Sequence, residues 1–107
     1  MNWRIEFLNQ SVQEEVESLP TDMQAKLYRI IELIRDFGLA KVHEPYVKHL
    51  QDKLWEMRVT GRDGIARAIY VTARGKRIVI LHAFRKKTQK TPKQAIRLAL
   101  ERMKELN

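Results

Sequence analysis

Ile78-Val79-Ile80-Leu81-His82-Ala83-Phe84-Arg85-Lys86-Lys87-Thr88-Gln89-Lys90-Thr91-Pro92 joins an apolar strand to a basic turn and the start of a helix. The segment Ile78 to Phe84 is apolar almost throughout, so it belongs centrally in a sheet that is covered on both faces. Thr91 reads as the N-cap and Pro92 as the first residue of the helix that follows. Ala95, Ile96, Ala99, Leu100, Met103 and Leu106 then recur at helical spacing as its buried face. Between strand and helix stand Arg85, Lys86, Lys87 and Lys90. Four cations on a short turn with firm supports suit a polyanion, RNA first, although a charge run by itself is as readily a solvated turn.

Working outward from that stretch, Arg74-Gly75-Lys76 is a tight reversal that leads back to a strand over Ile65 to Thr72. Gly61-Arg62-Asp63-Gly64 is a second turn, leading back to a strand over Leu54 to Val59. Two such short connections imply an antiparallel meander. From Gly38 to Lys53 the pattern weakens, and a loop or irregular strand is expected there. Upstream, Trp3, Ile5 and Phe7 alternate with Arg4 and Glu6, the signature of a short strand with one buried face. Ser11-Val12-Gln13-Glu14 reads as a capping box, and Val12, Val16 and Leu19 supply an apolar stripe up to Pro20. Thr21 or Asp22 can cap a second helix carrying Met23, Leu27, Ile30, Ile31, Ile34 and Phe37, with Gly38 as its stop. The expected fold is α+β, in the order β-α-α-β-β-β-α. A helical hairpin and a C-terminal helix flank a small, mainly antiparallel sheet, in one domain spanning residues 1–107.

Charge is distributed unevenly. Residues 1–52 hold 6 basic and 9 acidic side chains, and residues 53–107 hold 15 and 4, giving nets of −3 and +11 within the overall +8. A surface charged merely for solubility has no reason to be so lopsided, and the basic half would draw in phosphate backbones. Cysteine is absent, which excludes disulfides, thiolate metal sites and a cysteine nucleophile, and is compatible with a reducing cytosol. No apolar run approaches the roughly 20 residues of a membrane helix, and no signal-peptide core is visible. A cytoplasmic protein without membrane attachment is therefore expected.

Several residues could carry chemistry. Arg67 lies on a strand among apolar neighbours, and a buried guanidinium needs a partner or a water-filled groove. Glu56 and Arg58, on one face of the preceding strand, are its natural companions. The blander alternative is a structural salt bridge of Glu56 with either arginine. Metal-free RNA cleavage would need a proton taken from the 2′-hydroxyl, a stabilised phosphorane and a protonated leaving oxygen. Guanidinium and ammonium groups suit the second task, and Glu56 or His82 could serve the others. A histidine at that position is more often engaged in packing or hydrogen bonding. His43 and His49, six apart, do not have metal-ligand spacing. Trp55 could stack a base but is expected in the core.

Leu54-Trp55-Glu56-Met57-Arg58, Arg67-Ala68-Ile69-Tyr70 and the string from Leu81 to Pro92 together resemble the HigB-type, phage-derived branch of the RelE toxin superfamily. The resemblance spans essentially the whole chain. It implies the toxin of a type II toxin–antitoxin system, a ribosome-dependent endoribonuclease that cuts mRNA without a metal or cofactor. By position, Arg67 matches the strand arginine that contacts the scissile phosphate, and Lys86 and Lys87 match the branch's basic pair. Glu56 matches a position commonly occupied by glutamate in this branch. With His82, read from its place at the end of the strand, these are the candidate catalytic residues, and Arg58, Arg85, Gln89 and Lys90 are the candidate RNA contacts. The partners implied are the ribosome with its mRNA and a cognate antitoxin, a small helix-turn-helix protein, with operator DNA reached only through the toxin–antitoxin complex. The C-terminal tyrosine of RelE has no counterpart, and Ala66 stands where the branch often has a tyrosine, so stacking falls to Tyr70 or another aromatic. The alternatives are a ParE-like toxin that binds DNA gyrase without cutting RNA, and a non-toxic RNA-binding accessory protein.

Overall fold

The computed structural model describes residues 3–42, 46–87 and 90–106. The strands are β1 (Arg4–Phe7), β2 (Val47–Gln51), β3 (Leu54–Gly61), β4 (Gly64–Ala73) and β5 (Arg77–Lys86), and the helices are α1 (Gln10–Glu17), α2 (Thr21–Phe37) and α3 (Lys93–Met103). A 3-10 turn over Leu39–Lys41 follows α2. The strands form one sheet in the order β1-β5-β4-β3-β2. The β3-β4-β5 meander is antiparallel as expected, whereas β1 lies parallel to β5, with Ile5 opposite Ile78. The element order is therefore β-α-α-β-β-β-β-α, with one strand more than the sequence pattern suggests. Among the described residues no helix is long and apolar enough to cross a membrane.

The added strand is β2, in the weakly patterned segment. Only Val47 and Leu50 face inward, and its pairing with β3 shifts register between His49 and Gln51. A one-residue shift destroys the alternation by which a strand is recognised. His43 and Glu44 lie outside the described residues.

Alternating side chains divide the core into two layers. Met57, Val59, Ala66, Ala68, Tyr70, Ile78 and Ile80 face α1 and α2, meeting Val12, Val16, Met23, Leu27 and Ile34. Leu54, Ile69, Val71, Val79 and Leu81 face α3, meeting Ala95 and Ala99. At Leu81 the alternation slips: Tyr70 pairs with Ile80 but Ile69 pairs with His82, so β5 holds one extra residue.

The helix boundaries correct two expectations and meet a third. Asn9, not Ser11, caps α1, its side-chain oxygen accepting from the Val12 N–H at 3.1 Å. Neither Thr21 nor Asp22 caps α2, which begins directly after Pro20 without a side-chain cap. Gly38 does end α2, at φ 91°, with its N–H donating to the Ile34 carbonyl. Such a positive φ favours a residue without a Cβ. Gly61 serves a different need, because a Cβ there would lie 2.7 Å from Asp22 and Met23. A glycine is what allows α2 to lie so close to the end of β3.

Three aromatic expectations also change. Trp55 is 39% exposed, its ring 4.9 Å from that of His49, and does not lie in the core. Phe37 is 66% exposed despite its place in the apolar periodicity of α2. Tyr70 is fully buried against the helical hairpin, so it cannot stack on a base. Its hydroxyl has no hydrogen-bond partner among the described residues, and burial pushes its ionisation well above the ordinary tyrosine range. A buried hydroxyl without a partner opposes folding. Tyr70→Phe is expected to raise the stability to urea by about 1 kcal/mol, read as a higher denaturation midpoint at unchanged slope.

Candidate functional site

Cross-strand register assembles the candidate site. On the face of the sheet toward α3, Glu56, Ile69 and His82 form one rung across β3, β4 and β5, and Arg58, Arg67 and Phe84 form the next. Ile65 and Lys86 continue the ladder on β4 and β5. Residues that are far apart in the chain thus share one surface because side chains two apart point the same way.

Glu56 is the hub. It is fully buried, and its Oε1 accepts from Arg58 Nη2 at 2.8 Å. Its Oε2 accepts from Thr91 Oγ1 at 2.8 Å and lies 3.8 Å from Arg67 Nε. Arg67 is fully buried as well, and Arg58 is 17% exposed. Burial draws the Arg67 guanidinium below its ordinary value, the nearby Arg58 cation adds to that, and Glu56 opposes it. An arginine starts so high that it stays charged at neutral pH. The structural salt bridge weighed from sequence is therefore present, and it ties both arginines to one carboxylate. A buried carboxylate of this kind is tolerable only because its oxygens have donors.

Thr91 was expected to cap α3. Pro92 takes the N-cap position instead, without a side-chain cap bond, and the buried Thr91 hydroxyl serves Glu56. Nothing in the local sequence distinguishes these roles, since both use a threonine hydroxyl just before a helix.

The other candidates lie around this hub. Lys86 and Lys87 are exposed, at the end of β5 and just beyond it. Arg85 is exposed, and its Nη1 donates to the Asp63 carbonyl at 2.6 Å, bracing the turn between β3 and β4. Its strand partner Ala66 belongs to the layer under α1 and α2, so Arg85 points to that face, away from the ladder. Lys90 is exposed, and Gln89 lies outside the described residues.

His82 belongs to a different cluster. β1 ends at Phe7, and β5 continues past it with one edge unpaired by any strand. Two charged side chains close that edge. Glu15 of α1 accepts the Ala83 N–H at 3.1 Å, and Arg102 of α3 donates to the Leu81 carbonyl at 2.8 Å. The two also form a bidentate pair at 3.0 and 2.9 Å. His82 Nδ1 lies 2.9 Å from Glu15 Oε1, and its ring stacks on Phe84. These contacts commit His82 to the edge cluster. Burial alone would raise the Glu15 carboxyl, but the bonds from Arg102, His82 and the Ala83 N–H outweigh it, and the group is held below its usual value. Glu15 and Arg102 went unnoticed in the sequence, where each reads as one more charge on the outer face of a helix. Among the described residues no group of three potential metal ligands occurs.

Two tests follow from these geometries. If Thr91 acts through Glu56, the pair Thr91→Val and Glu56→Gln should show a coupling of about 1–3 kcal/mol in a double-mutant cycle. A capping threonine would show none. Folding lowers the Glu15 carboxyl from its ordinary 4.5, so the unfolded chain binds the proton more readily. Its stabilisation is complete above that value and disappears as pH falls through the lower folded value. Denaturant midpoints measured downward from neutral pH should therefore fall more gently below about pH 4.5 in Glu15→Gln than in the parent.

Comparison with known proteins agrees with this architecture. The chain superposes on a chain of the archaeal RelE-RelB complex from Pyrococcus horikoshii OT3 with a TM-score of 0.58. The match covers 84% of this chain and 100% of that one at 20% sequence identity, a likeness of fold. Among curated proteins no match was found. The family model described as phage derived protein Gp49-like matches residues 14–104, from within α1 to the end of α3 and so across both charged clusters. This chain belongs to that Gp49-like, phage-derived family.

Proposed function

We propose that the chain is the toxin of a toxin–antitoxin pair of the HigB type, a ribosome-dependent endoribonuclease that cuts mRNA without a metal. The observation that carries this reading is the ladder of Arg58, Arg67 and Lys86 on one sheet face around a buried Glu56, beside the exposed Lys87. Membership of the phage-derived family and the RelE-like fold support it.

In this mechanism the RNA backbone is first held by the exposed cations Lys86, Lys87, Lys90 and Arg85. Such contacts position a strand without reading its sequence. Attack by the 2′-hydroxyl on the adjacent phosphorus builds negative charge on the phosphorane oxygens. The exposed lysine pair and the partly exposed Arg58 offset that charge directly, the buried Arg67 adds to the offset through its field, and preorganised cations do so with little rearrangement. Glu56 holds the two guanidiniums in register and, being fully buried and hydrogen-bonded, acts through them. The 2′-hydroxyl proton is lost to water as its oxygen bonds phosphorus, and the bond to the leaving 5′-oxygen breaks, that oxygen taking a proton from water, to give a 2′,3′-cyclic phosphate. An antitoxin silences the toxin by covering these cations or by preventing entry to the ribosome.

The test is to map new 5′ ends on one mRNA incubated with the purified protein, with and without translating ribosomes. Cuts at codon boundaries only with ribosomes are expected. Arg67→Ala should lower them by roughly 100-fold or more. Removing a buried charge also threatens the fold, by about 3–5 kcal/mol, so the exposed pair Lys86→Glu with Lys87→Glu is the control that keeps the core. Loss of cutting in a folded double variant supports the reading. Growth arrest that survives in that variant points instead to a ParE-like toxin acting on gyrase. An absence of cuts under either condition defeats the nuclease.

A further inference from the structure

A groove of about 750 Å³ lies between α2 and the end of β3 and reaches Arg58 of the Glu56 cluster. Ile30, Leu33 and Val59 line it on the α2 side, and Ile65 reaches it from the other face at the end of the sheet. A smaller hollow of about 270 Å³ adjoins it, lined by Phe37 and Val42 and sharing Leu33. Ile30, Leu33 and Phe37 stand at i, i+3 and i+7 along α2, so the two hollows make one seam at helical spacing. At one end Phe37 is 66% exposed, and Tyr46 beside the larger groove is 53% exposed.

Among the described residues, every charged side chain that lines the two hollows is a cation: Lys26, Arg29, Lys48 and Arg58 in the larger, and Lys41 in the smaller. The floor is aliphatic, and among the described residues Phe37 and Tyr46 are the two aromatic rings that line the hollows, fewer than the successive bases of a single strand would stack on. Addition of a strand is also disfavoured. The Arg58 N–H already donates to the Tyr46 carbonyl, and Lys26 Nζ caps the Thr60 carbonyl at 2.6 Å. What remains attractive is side-chain packing between cationic rims, the arrangement that receives an amphipathic helix.

We infer that this seam docks an acidic amphipathic helix of a partner polypeptide, about three turns long, with apolar residues at i, i+3 and i+7. The partner's carboxylates meet Lys26, Arg29, Lys41 and Lys48, and its apolar stripe covers Leu33 and Phe37. A helix seated there also screens Arg58, the more exposed of the two arginines bound to Glu56. The identification of this partner as an antitoxin rests on the toxin–antitoxin reading; the surface chemistry does not.

The probe is a synthetic helix with leucines at i, i+3 and i+7 and glutamates elsewhere, titrated into the nitrogen-labelled full chain and followed by amide NMR. Shifts confined to Ile30, Leu33, Phe37, Val59 and Thr60, weakened by added salt, are expected. Phe37→Glu, and independently Arg29→Glu, should lower the affinity by about tenfold or more, and both side chains are exposed enough to leave the fold intact. Equal binding by a peptide with lysines in place of the glutamates overturns the inference. So does an absence of shifts at millimolar peptide. The same shifts produced by a single-stranded oligonucleotide would assign the seam to RNA, and shifts that depend on protein concentration alone would assign it to a second copy of the chain. The readout involves neither toxicity nor cleavage, so its failure is distinguishable from failure of the proposed function.

Discussion

Closure of the β5 edge by Glu15 and Arg102 is the constraint that joins the two halves of the structure. Where β1 stops, β5 would present an N–H and a carbonyl that no strand receives, and backbone groups away from water need partners. A carboxylate from one face of the sheet takes the N–H, and a guanidinium from the other face takes the carbonyl. The two then bond to each other. One ion pair thus fixes α1, β5 and α3 against one another around the rim of the sheet. An exposed edge of this kind also invites pairing with another chain, and charged side chains across it remove the invitation.

The basic half of the molecule spends its charge in two different ways. Lys86, Lys87 and Lys90 remain at the surface, where a phosphate backbone can reach them. Arg58 and Arg67 are drawn inward and neutralised in part by one carboxylate. Buried guanidiniums held by a glutamate cannot swing as surface lysines do, and what they lose in reach they gain in fixed orientation. A net charge of +8 therefore understates the organisation of the site.

Much of the fold was legible in the sequence, for reasons that can be traced residue by residue. The meander showed in Arg74-Gly75-Lys76 and in Gly61 to Gly64, because tight turns demand particular residues. The core stripes of α2 and α3 showed through their periodicity. β2 did not, since a register shift erased its alternation. Parallel pairing of β1 with β5 was invisible because partner choice leaves no local mark. For the site, Glu56, Arg58 and Arg67 could be grouped correctly from strand alternation. The second service of Thr91, the diversion of His82 to the edge and the burial of Arg67 depend on contacts between distant segments, and no spacing rule encodes those.

The parallel pairing of β1 with β5 has a consequence for the order in which the chain can fold. A nascent chain emerges with β1, α1 and α2 first, yet β1 must wait for Arg77 to Ile80 before it has a neighbour. The Glu15–Arg102 pair spans 87 positions and is later still. Contacts so distant in sequence make folding slow and leave apolar surface open in the interim. The polypeptide therefore acquires its finished cation ladder only after β5 and the α3 segment have been made.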